Sequence, residues 1–272
     1  MRNDPRKDAK FNGTIPEMYD RYLGPLLFEP FAIDLASRVG SLKPQNVLEV
    51  AAGTGIVTRE MLKALPPTSR LSVTDLNDPM IGHARRRVGE DPRVSWRQAD
   101  AMELPFDDSE FDAVVCQFGI MFFPDKARGM REFHRVLSTG GNILLSVWDS
   151  LDRNPPGATI HTALAEIFPE DPPDFYRVPF SMCDVNALRA LATNAGFRKV
   201  KIESLTLEGR SPSAGDAAIG LVGGNPVINA IRERAPELVS SVEERTRERL
   251  AERFGKGEIK VPLRAHVLTA SK

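Results

Sequence analysis

A chain of 272 residues, 42% hydrophobic and 27% charged, is long enough to bury a substantial core and has no long polar linker, which predicts one domain over residues 1–272. Its 36 basic and 37 acidic residues give a net charge of −1, so no overall field would attract nucleic acid or an anionic membrane. Cys116 and Cys183 lack the spacing of a disulfide framework or a zinc cluster, and no apolar run could span a bilayer, so we expect a cytoplasmic protein with a small-molecule partner and no metal.

Residues 1–44 are predicted to form an N-terminal helical cap. The first ten residues are polar and charged, and the apolar positions that follow recur at helical spacing around Pro16 and Pro25. We expect two short helical pieces, over residues 15–27 and 29–39.

Residues 45–148 alternate between short, β-branched apolar runs and amphipathic stretches, which is typical of βαβ units in a parallel sheet. Helices are predicted over residues 55–64, 79–88 and 125–137, the last of them ended by a glycine-rich stop at residues 138–141. Strands are predicted over residues 46–50, 71–74, 94–98, 112–117 and 142–148.

The pattern becomes irregular beyond Trp148. Residues 149–183 are rich in proline and aromatic residues and are predicted to form a lid with a helix near residues 159–168, and residues 184–195 follow as a helix capped by Asp184 and ended by Gly196. Residues 199–207 and 261–270 predict the last two of seven strands, and residues 209–257 a helical insertion with helices starting near Pro226 and Pro236. The expected fold is a doubly wound, mostly parallel, Rossmann-like α/β sheet with helical lid insertions.

The most informative motif is an apolar strand that runs into a glycine-rich turn and then a helix, over residues 47–58. In open α/β sheets the ligand crevice lies at the carboxyl ends of the strands. Gly53 and Gly55 would let the backbone come close to a ligand, although a tight turn between strand and helix is an equally good explanation of this glycine pair. The acidic Glu49 just before the turn favours the ligand site.

Two further carboxylates follow the next strands. Asp75 lies 20 residues beyond Gly55, near the spacing at which an acid accepts the hydroxyl hydrogens of a ribose, although it could instead cap the following helix. Asp100 suits the exocyclic amine of adenine, with an Asx-turn as the alternative. Residues 116–123, after the fourth strand, are predicted to line the far end of the ligand.

In this order the motifs resemble those of class I S-adenosylmethionine (SAM)-dependent methyltransferases, in particular the group similar to ubiquinone/menaquinone-biosynthesis methyltransferases, over residues 46–148. The resemblance implies SAM as cofactor and S-adenosylhomocysteine (SAH) as product. Two positions depart from the family pattern, since Ala51 replaces a usual glycine and Thr139 a usual proline. The resemblance places Glu49, Ala51, Gly53 and Gly55 around the methionine part of SAM, Asp75 and Leu76 near the ribose and adenine, Asp100 and Ala101 at the adenine edge, and Gln117 at the carboxypropyl end. Met80 and Phe118 are further predicted cofactor-binding residues. Tyr19 is expected to close over the methionine part or, alternatively, to pack on the sheet.

The acceptor site is predicted from the lid. Its aromatic residues Phe168, Phe175, Tyr176 and Phe180 could form an apolar pocket over the cofactor, or could simply pack in the core. His161 is the one histidine placed where a substrate could pass and is a weak candidate for a general base, whereas structural roles are expected for the other histidines.

The sequence thus predicts a SAM-dependent methyltransferase that acts on a small, partly apolar or aromatic molecule. A nicotinamide-dependent oxidoreductase is the main rival, but Ile56 stands where a dinucleotide loop needs a small residue and Glu49 would repel a pyrophosphate. A non-catalytic SAM-binding module is a second alternative. The acceptor, the atom methylated and the oligomeric state do not follow from the sequence.

Overall fold

The computed structural model describes Phe11 and residues 13–272, so most of the segment before Gly13, which belongs to the predicted cap, lies outside the described residues. Seven strands are present in that described part. They are β1 (Asn46–Val50), β2 (Arg70–Asp75), β3 (Val94–Gln98), β4 (Phe111–Gln117), β5 (Leu137–Trp148), β6 (Arg198–Ser211) and β7 (Ile259–Ser271).

The strands form one sheet in the order β3-β2-β1-β4-β5-β7-β6. The first five strands are parallel, and β7 runs antiparallel to both β5 and β6. Chain order reverses between β1 and β4, so the carboxyl ends of these two strands flank the crevice in which such sheets bind ligands. The predicted doubly wound, mostly parallel α/β fold is confirmed.

Helices cover both faces of the sheet, which is why its central strands are almost entirely apolar. Val47 and Leu48 of β1 and Val114 and Val115 of β4 are completely buried. The helices of the first half are α1 (Ile15–Met18), α2 (Glu29–Leu42), α3 (Ile56–Ala64), α4 (Asp78–Val88) and α5 (Lys126–Val136).

The two helical pieces predicted near the N-terminus are one continuous helical run. A π-helical segment, Tyr19–Phe28, joins α1 to α2 without a break and contains Pro25. Because proline has no N–H and crowds the preceding turn, a wider helix can accommodate it where a regular α-helix would kink. The helix runs through Pro25, as the piece predicted over residues 15–27 requires, but it continues into α2 without the interruption expected near residue 28.

Helix α5 ends close to its predicted end, before the glycine-rich segment, but the next strand begins at residue 137 and not at the predicted residue 142. The helix ends at Val136, and β5 begins at Leu137, opposite Phe111. The pairing then shifts register before Asn142. Gly140, with φ of +81°, takes up this irregularity, so the segment that was predicted as a helix stop belongs to the strand.

In the second half the helices are α6 (Pro155–Ile167), α7 (Val185–Asn194), α8 (Ala214–Gly223), α9 (Val227–Arg234) and α10 (Val239–Phe254). Asp184 caps α7 as predicted, since its carboxylate accepts from the N–H groups of Asn186 and Ala187. Helix α8 was not predicted individually, although Ser213 and Asp216 form its N-terminal cap. No helix among the described residues is long and apolar enough to cross a membrane.

Candidate functional site

The turn after β1 brings the backbone into left-handed conformations three times. Ala51, Gly53 and Gly55 have φ of +56°, +57° and +77° before α3 begins. A side chain on Gly55 would place its Cβ 3.1 Å from the Cβ of Ala84 in α4. Glycine is therefore required here both by the turn and by the close approach of α4.

Ala51 stands at a position where the family usually has glycine. Its left-handed φ is one that favours glycine, so the alanine carries backbone strain. Its methyl group faces Gly119, where an added Cβ would lie only 2.5 Å from the Cβ of Ala51. Ala51 and Gly119 thus form a complementary pair across the turn, and the methyl group lines the adjoining cavity.

Asp75 holds this turn in place from the end of β2. One carboxylate oxygen accepts a 2.8 Å hydrogen bond from the N–H of Gly53, and the other accepts a 2.8 Å hydrogen bond from the N–H of Asn77, at the start of α4. The two roles that were alternatives in the sequence, a ligand site and a helix start, are therefore compatible. Burial raises the pKa of Asp75, and these backbone hydrogen bonds oppose the rise.

Glu49 lies behind the turn and does not line the cavity. Its Oε2 accepts a 2.6 Å hydrogen bond from Thr58 of α3, while Oε1 is buried without a hydrogen-bond partner among the described residues. Burial raises the pKa of Glu49 to about 8, the Thr58 hydroxyl opposes that rise, and the nearby Asp75 adds to it. Glu49 thus connects the end of β1 to α3 beneath the glycine turn.

A cavity of about 540 Å³ opens at the carboxyl ends of β1, β2 and β4, within the size range of small-molecule sites. All but two of the predicted cofactor-binding residues line it, and the exceptions are Glu49 and Gly55. The lining comprises the predicted Tyr19, Ala51, Gly53, Asp75, Leu76, Met80, Asp100, Ala101, Gln117 and Phe118, with Gly119, Phe122 and Phe123 from the segment expected at the far end.

Other lining residues had not been singled out from the sequence. Phe11 and Pro124 are apolar and belong to no motif, and they line the cavity because of where the chain folds, whereas Val50 is the last residue of the strand in the motif over residues 47–58. Asn77, Ala99 and Met102 are immediate neighbours of residues that had been predicted. The recurrence of polar groups at strand ends could have identified this second set, since those ends meet at one edge of a parallel sheet.

Asp100 and Gln117 present polar atoms to the cavity. Asp100 accepts a 2.8 Å hydrogen bond from the N–H of Met102, which is the Asx-turn considered from the sequence, and still lines the cavity. The Nε2 of Gln117 donates to the carbonyl of Phe28, while its Oε1 is buried without a hydrogen-bond partner in the described part of the chain. This oxygen is an acceptor for a ligand donor.

A second, smaller cavity of about 70 Å³ adjoins the first. The two share Phe11, Tyr19, Phe118 and Phe122 as a common wall. The Tyr19 ring stacks on Phe28 with ring centroids 4.5 Å apart. Tyr19 therefore lies at the junction of the two cavities, as its predicted closing position requires.

The far wall of the second cavity comes from the lid and from α8. Phe175, Tyr176 and Phe180 line it, whereas Phe168 does not. The hydroxyl of Tyr176 donates to the carbonyl of Leu221 at 2.6 Å and accepts from Asn225 at 2.9 Å. The polar groups at this wall are thus satisfied within the protein, and the surface that they leave to a ligand is mainly apolar and aromatic.

The histidines lie outside both cavities. His161 is absent from the residues that line either one, so the geometry does not support the weak prediction of a general base; its pKa is lowered by burial and by Arg177. His134 packs edge-on against Phe197, and His266 is bonded to Ser204 between β6 and β7. His83, expected on a solvated helix face, instead lies largely buried against Asp20.

The sequence and the fold resemble those of known proteins. Residues 47–141 match a family model described as a methyltransferase domain. The ubiquinone/menaquinone biosynthesis C-methyltransferase UbiE of Ectopseudomonas mendocina (strain ymp) is 32% identical over 195 residues, which are 66% of this chain and 74% of that protein. The same enzyme from Klebsiella pneumoniae (strain 342) is 29% identical over 193 residues, 66% of this chain and 76% of that protein.

A solved structure shows the same fold. The Haemonchus contortus phosphoethanolamine N-methyltransferase 2, in complex with S-adenosyl-L-methionine, superposes with a TM-score of 0.61 at 17% identity. The match covers 94% of this chain and 56% of that protein.

Proposed function

This chain belongs to the class I SAM-dependent methyltransferases, and on that basis we propose that it methylates a small, partly apolar or aromatic molecule held in the second cavity. The observation that carries the proposal is the shared wall: Tyr19, Phe118 and Phe122 line both cavities. An acceptor in the smaller cavity would therefore adjoin a cofactor in the larger one.

The residues of the larger cavity fit SAM by charge and shape. SAM carries a cationic sulfonium and an ammonium group, and the buried carboxylate of Asp75 lies at the cavity wall. The Oε1 of Gln117 supplies an acceptor for an N–H donor. Leu76, half exposed beside Asp75, offers the kind of apolar surface that an adenine ring covers.

When bound, SAM supplies an electrophilic methyl group. The chain's own contribution is to position the acceptor and to exclude water, which together can account for much of the rate of such a transfer. Phe118 stacks flat on Trp148 with centroids 3.8 Å apart, so the wall between the cavities is rigid. Phe175 and Phe180 close the opposite side from the lid.

The nicotinamide-dependent alternative is not favoured. A dinucleotide would bring a pyrophosphate to the turn that Asp75 braces, and the buried carboxylate of Asp75 would repel it. Methyl transfer to any acceptor would exclude the other alternative, a non-catalytic SAM-binding module.

The test is a methyl-transfer screen with labelled SAM. Small apolar and aromatic acceptors are compared with sugar phosphates and peptides, using the wild type and Asp75→Ala, with Asp107→Ala as a matched control because Asp107 is an exposed acid away from the cavity. We expect transfer to members of the apolar or aromatic set by the wild type and the control, and loss of transfer in Asp75→Ala. Transfer only to sugar phosphates would contradict the proposal.

A further inference from the structure

A buried ion cluster lies immediately beside Tyr19 and was not anticipated from the sequence. The carboxylate of Asp20, whose side chain is 6% exposed, is contacted by three cationic or ionisable side chains. Arg59 approaches one oxygen to 3.0 Å, and Arg87 and His83 approach the other to 2.8 and 3.4 Å. A carboxylate buried to this degree is stable only when such partners compensate the loss of water.

The three partners connect the N-terminal helical run to both elements that shape the cofactor cavity. Arg59 belongs to α3, and its second nitrogen donates to the carbonyl of Thr54, between Gly53 and Gly55. His83 and Arg87 belong to α4, which also supplies Met80 to the cavity wall. Asp20 is therefore the point at which the helical run is fixed to the glycine turn and to α4.

The charge of Asp20 keeps the N-terminal helical run attached to α3 and α4. Burial alone would raise the pKa of Asp20, but the attraction and hydrogen bond of Arg59, with His83 and Arg87, hold it below its ordinary value. The carboxylate is therefore ionised across the neutral range. An ionised Asp20 remains attracted to α3 and α4 whether or not the cavity is filled.

We propose that Asp20 is a positioning residue for the cofactor: its contacts with Arg59, His83 and Arg87 hold the adjacent Tyr19 across the cavity, over the methionine part of SAM. This inference rests on the proposal that the larger cavity is the SAM site. Asp20 acts by fixing the N-terminal cap in place and makes no contact with the ligand itself.

Loss of the Asp20 contacts should weaken one part of the ligand site and not the other, whereas a general loss of structure would weaken both. Tyr19 lies where the cavity adjoins the second cavity, whereas Leu76 and Asp100 line only the larger cavity, in the part expected for adenosine. Releasing Tyr19 should weaken ligands that carry the methionine part and leave adenosine almost unaffected. The ratio of the SAH and adenosine dissociation constants is therefore the quantity to measure.

The experiment is calorimetric titration of SAH and adenosine into the wild type, Asp20→Asn, Tyr19→Ala and the double variant. We expect Asp20→Asn to raise the Kd of SAH about tenfold or more and that of adenosine less than about twofold. If Asp20 acts through Tyr19, the double variant binds SAH no more weakly than Tyr19→Ala alone. Equal weakening of both ligands, an unchanged SAH affinity, or additive losses would overturn the inference.

Asp20→Asn leaves three partners without their carboxylate and could unfold the protein, so a milder pair of variants is included. Arg87→Gln removes a partner whose side chain is 56% exposed, and Arg86→Gln changes its exposed neighbour in the same helix. SAH binding should weaken in Arg87→Gln and not in Arg86→Gln, and identical behaviour of the two would reject the role of the cluster. If the folded wild type binds no SAH, the cofactor site itself is wrong; if it binds SAH and the variants do not differ, only the role of Asp20 fails.

Discussion

Single residues near the glycine turn show how this chain departs from its family pattern. Ala51 keeps a left-handed conformation that costs an alanine about 1 kcal/mol or more, and the methyl group is accommodated because residue 119 is glycine. The family resemblance identified the substitution, but the compensating position follows only from the fold. The same holds for Thr58, whose hydroxyl reaches Glu49 from the next helix.

Ala51→Gly should relieve this strain. We expect the free energy of unfolding to rise by about 0.5–1 kcal/mol, since the strain removed exceeds the added freedom of glycine in the unfolded chain. Urea denaturation measures it, with Ala52→Gly as the matched control because Ala52 has no left-handed φ. The control should lose stability, and an equal loss in both variants would show that Ala51 is not strained.

Glu49 predicts a pH dependence of the ligand-free protein. Its pKa of about 8 in the folded state exceeds its ordinary value of 4.5, so between these values the folded protein retains a proton that the unfolded chain has released. The free energy of unfolding therefore falls as pH rises from about 4.5 to about 8, by at most about 1.4 kcal/mol per pH unit from this group. Above about pH 8 Glu49 is ionised in both the folded and the unfolded state, so the free energy of unfolding falls no further because of this group.

The check is chemical denaturation across this pH range. Glu49→Gln should flatten the fall without abolishing it, because the pKa of Asp75 is also raised by burial and acts in the same direction. Glu90→Gln, at an exposed acid, is the control and should leave the slope unchanged. A wild-type slope that survives intact in Glu49→Gln would assign the effect to other groups.

At the scale of elements, periodicity predicted the strands well, because alternating and continuous apolar runs reflect which faces of a sheet are buried. It failed where local signals are overridden. Two separate helical pieces were predicted over residues 15–27 and 29–39, yet a π-helical segment joins them into one run. The glycines at 140–141 were read as a helix stop, yet they lie in an irregular part of β5.

The lid carries a prediction about the acceptor. Phe180 lines the second cavity and faces Trp148 at a centroid distance of 6.3 Å, whereas Phe168 belongs to the same lid and does not line it. Phe180→Ala should raise the KM for the acceptor by about tenfold, as expected for the loss of a buried aromatic contact, and leave the Kd of SAH unchanged. Phe168→Ala, measured in steady-state kinetics with the acceptor found in the screen, should leave KM unchanged.

A KM that is unaffected by Phe180→Ala would place the acceptor elsewhere. If SAH binding weakened to the same extent as acceptor binding, the lid would be supporting the whole site rather than recognising the acceptor. The comparison with Phe168→Ala separates both outcomes from a general loosening of the lid.

At the scale of the whole molecule, the sequence is most informative where the family pattern is densest. The predicted cofactor residues from Glu49 to Phe118 fall within the region that matches the methyltransferase domain, and nearly all of them meet in one cavity. The walls of the second cavity come largely from residues 148–180 and from residues 11–28, outside that region. The nature of the acceptor therefore cannot be carried over from the family.

The contacts of Asp20 could not be predicted from the sequence. Its partners lie 39, 63 and 67 positions away along the chain, and no local pattern links an acid in the N-terminal helix to them. Such a cluster depends on how the helical run packs against α3 and α4. Aspartate and arginine residues on helices are ordinarily solvated, so their residue types alone do not indicate a buried cluster.

The most direct test of the central claim is calorimetric titration of the purified protein with SAM, SAH and NADH, repeated on Asp75→Ala and on the control Asp107→Ala. We predict that the wild type and the control bind both adenosyl ligands and not NADH, and that Asp75→Ala binds them at least about tenfold more weakly because it loses the carboxylate that braces the turn. Binding of NADH without SAM or SAH would contradict the account.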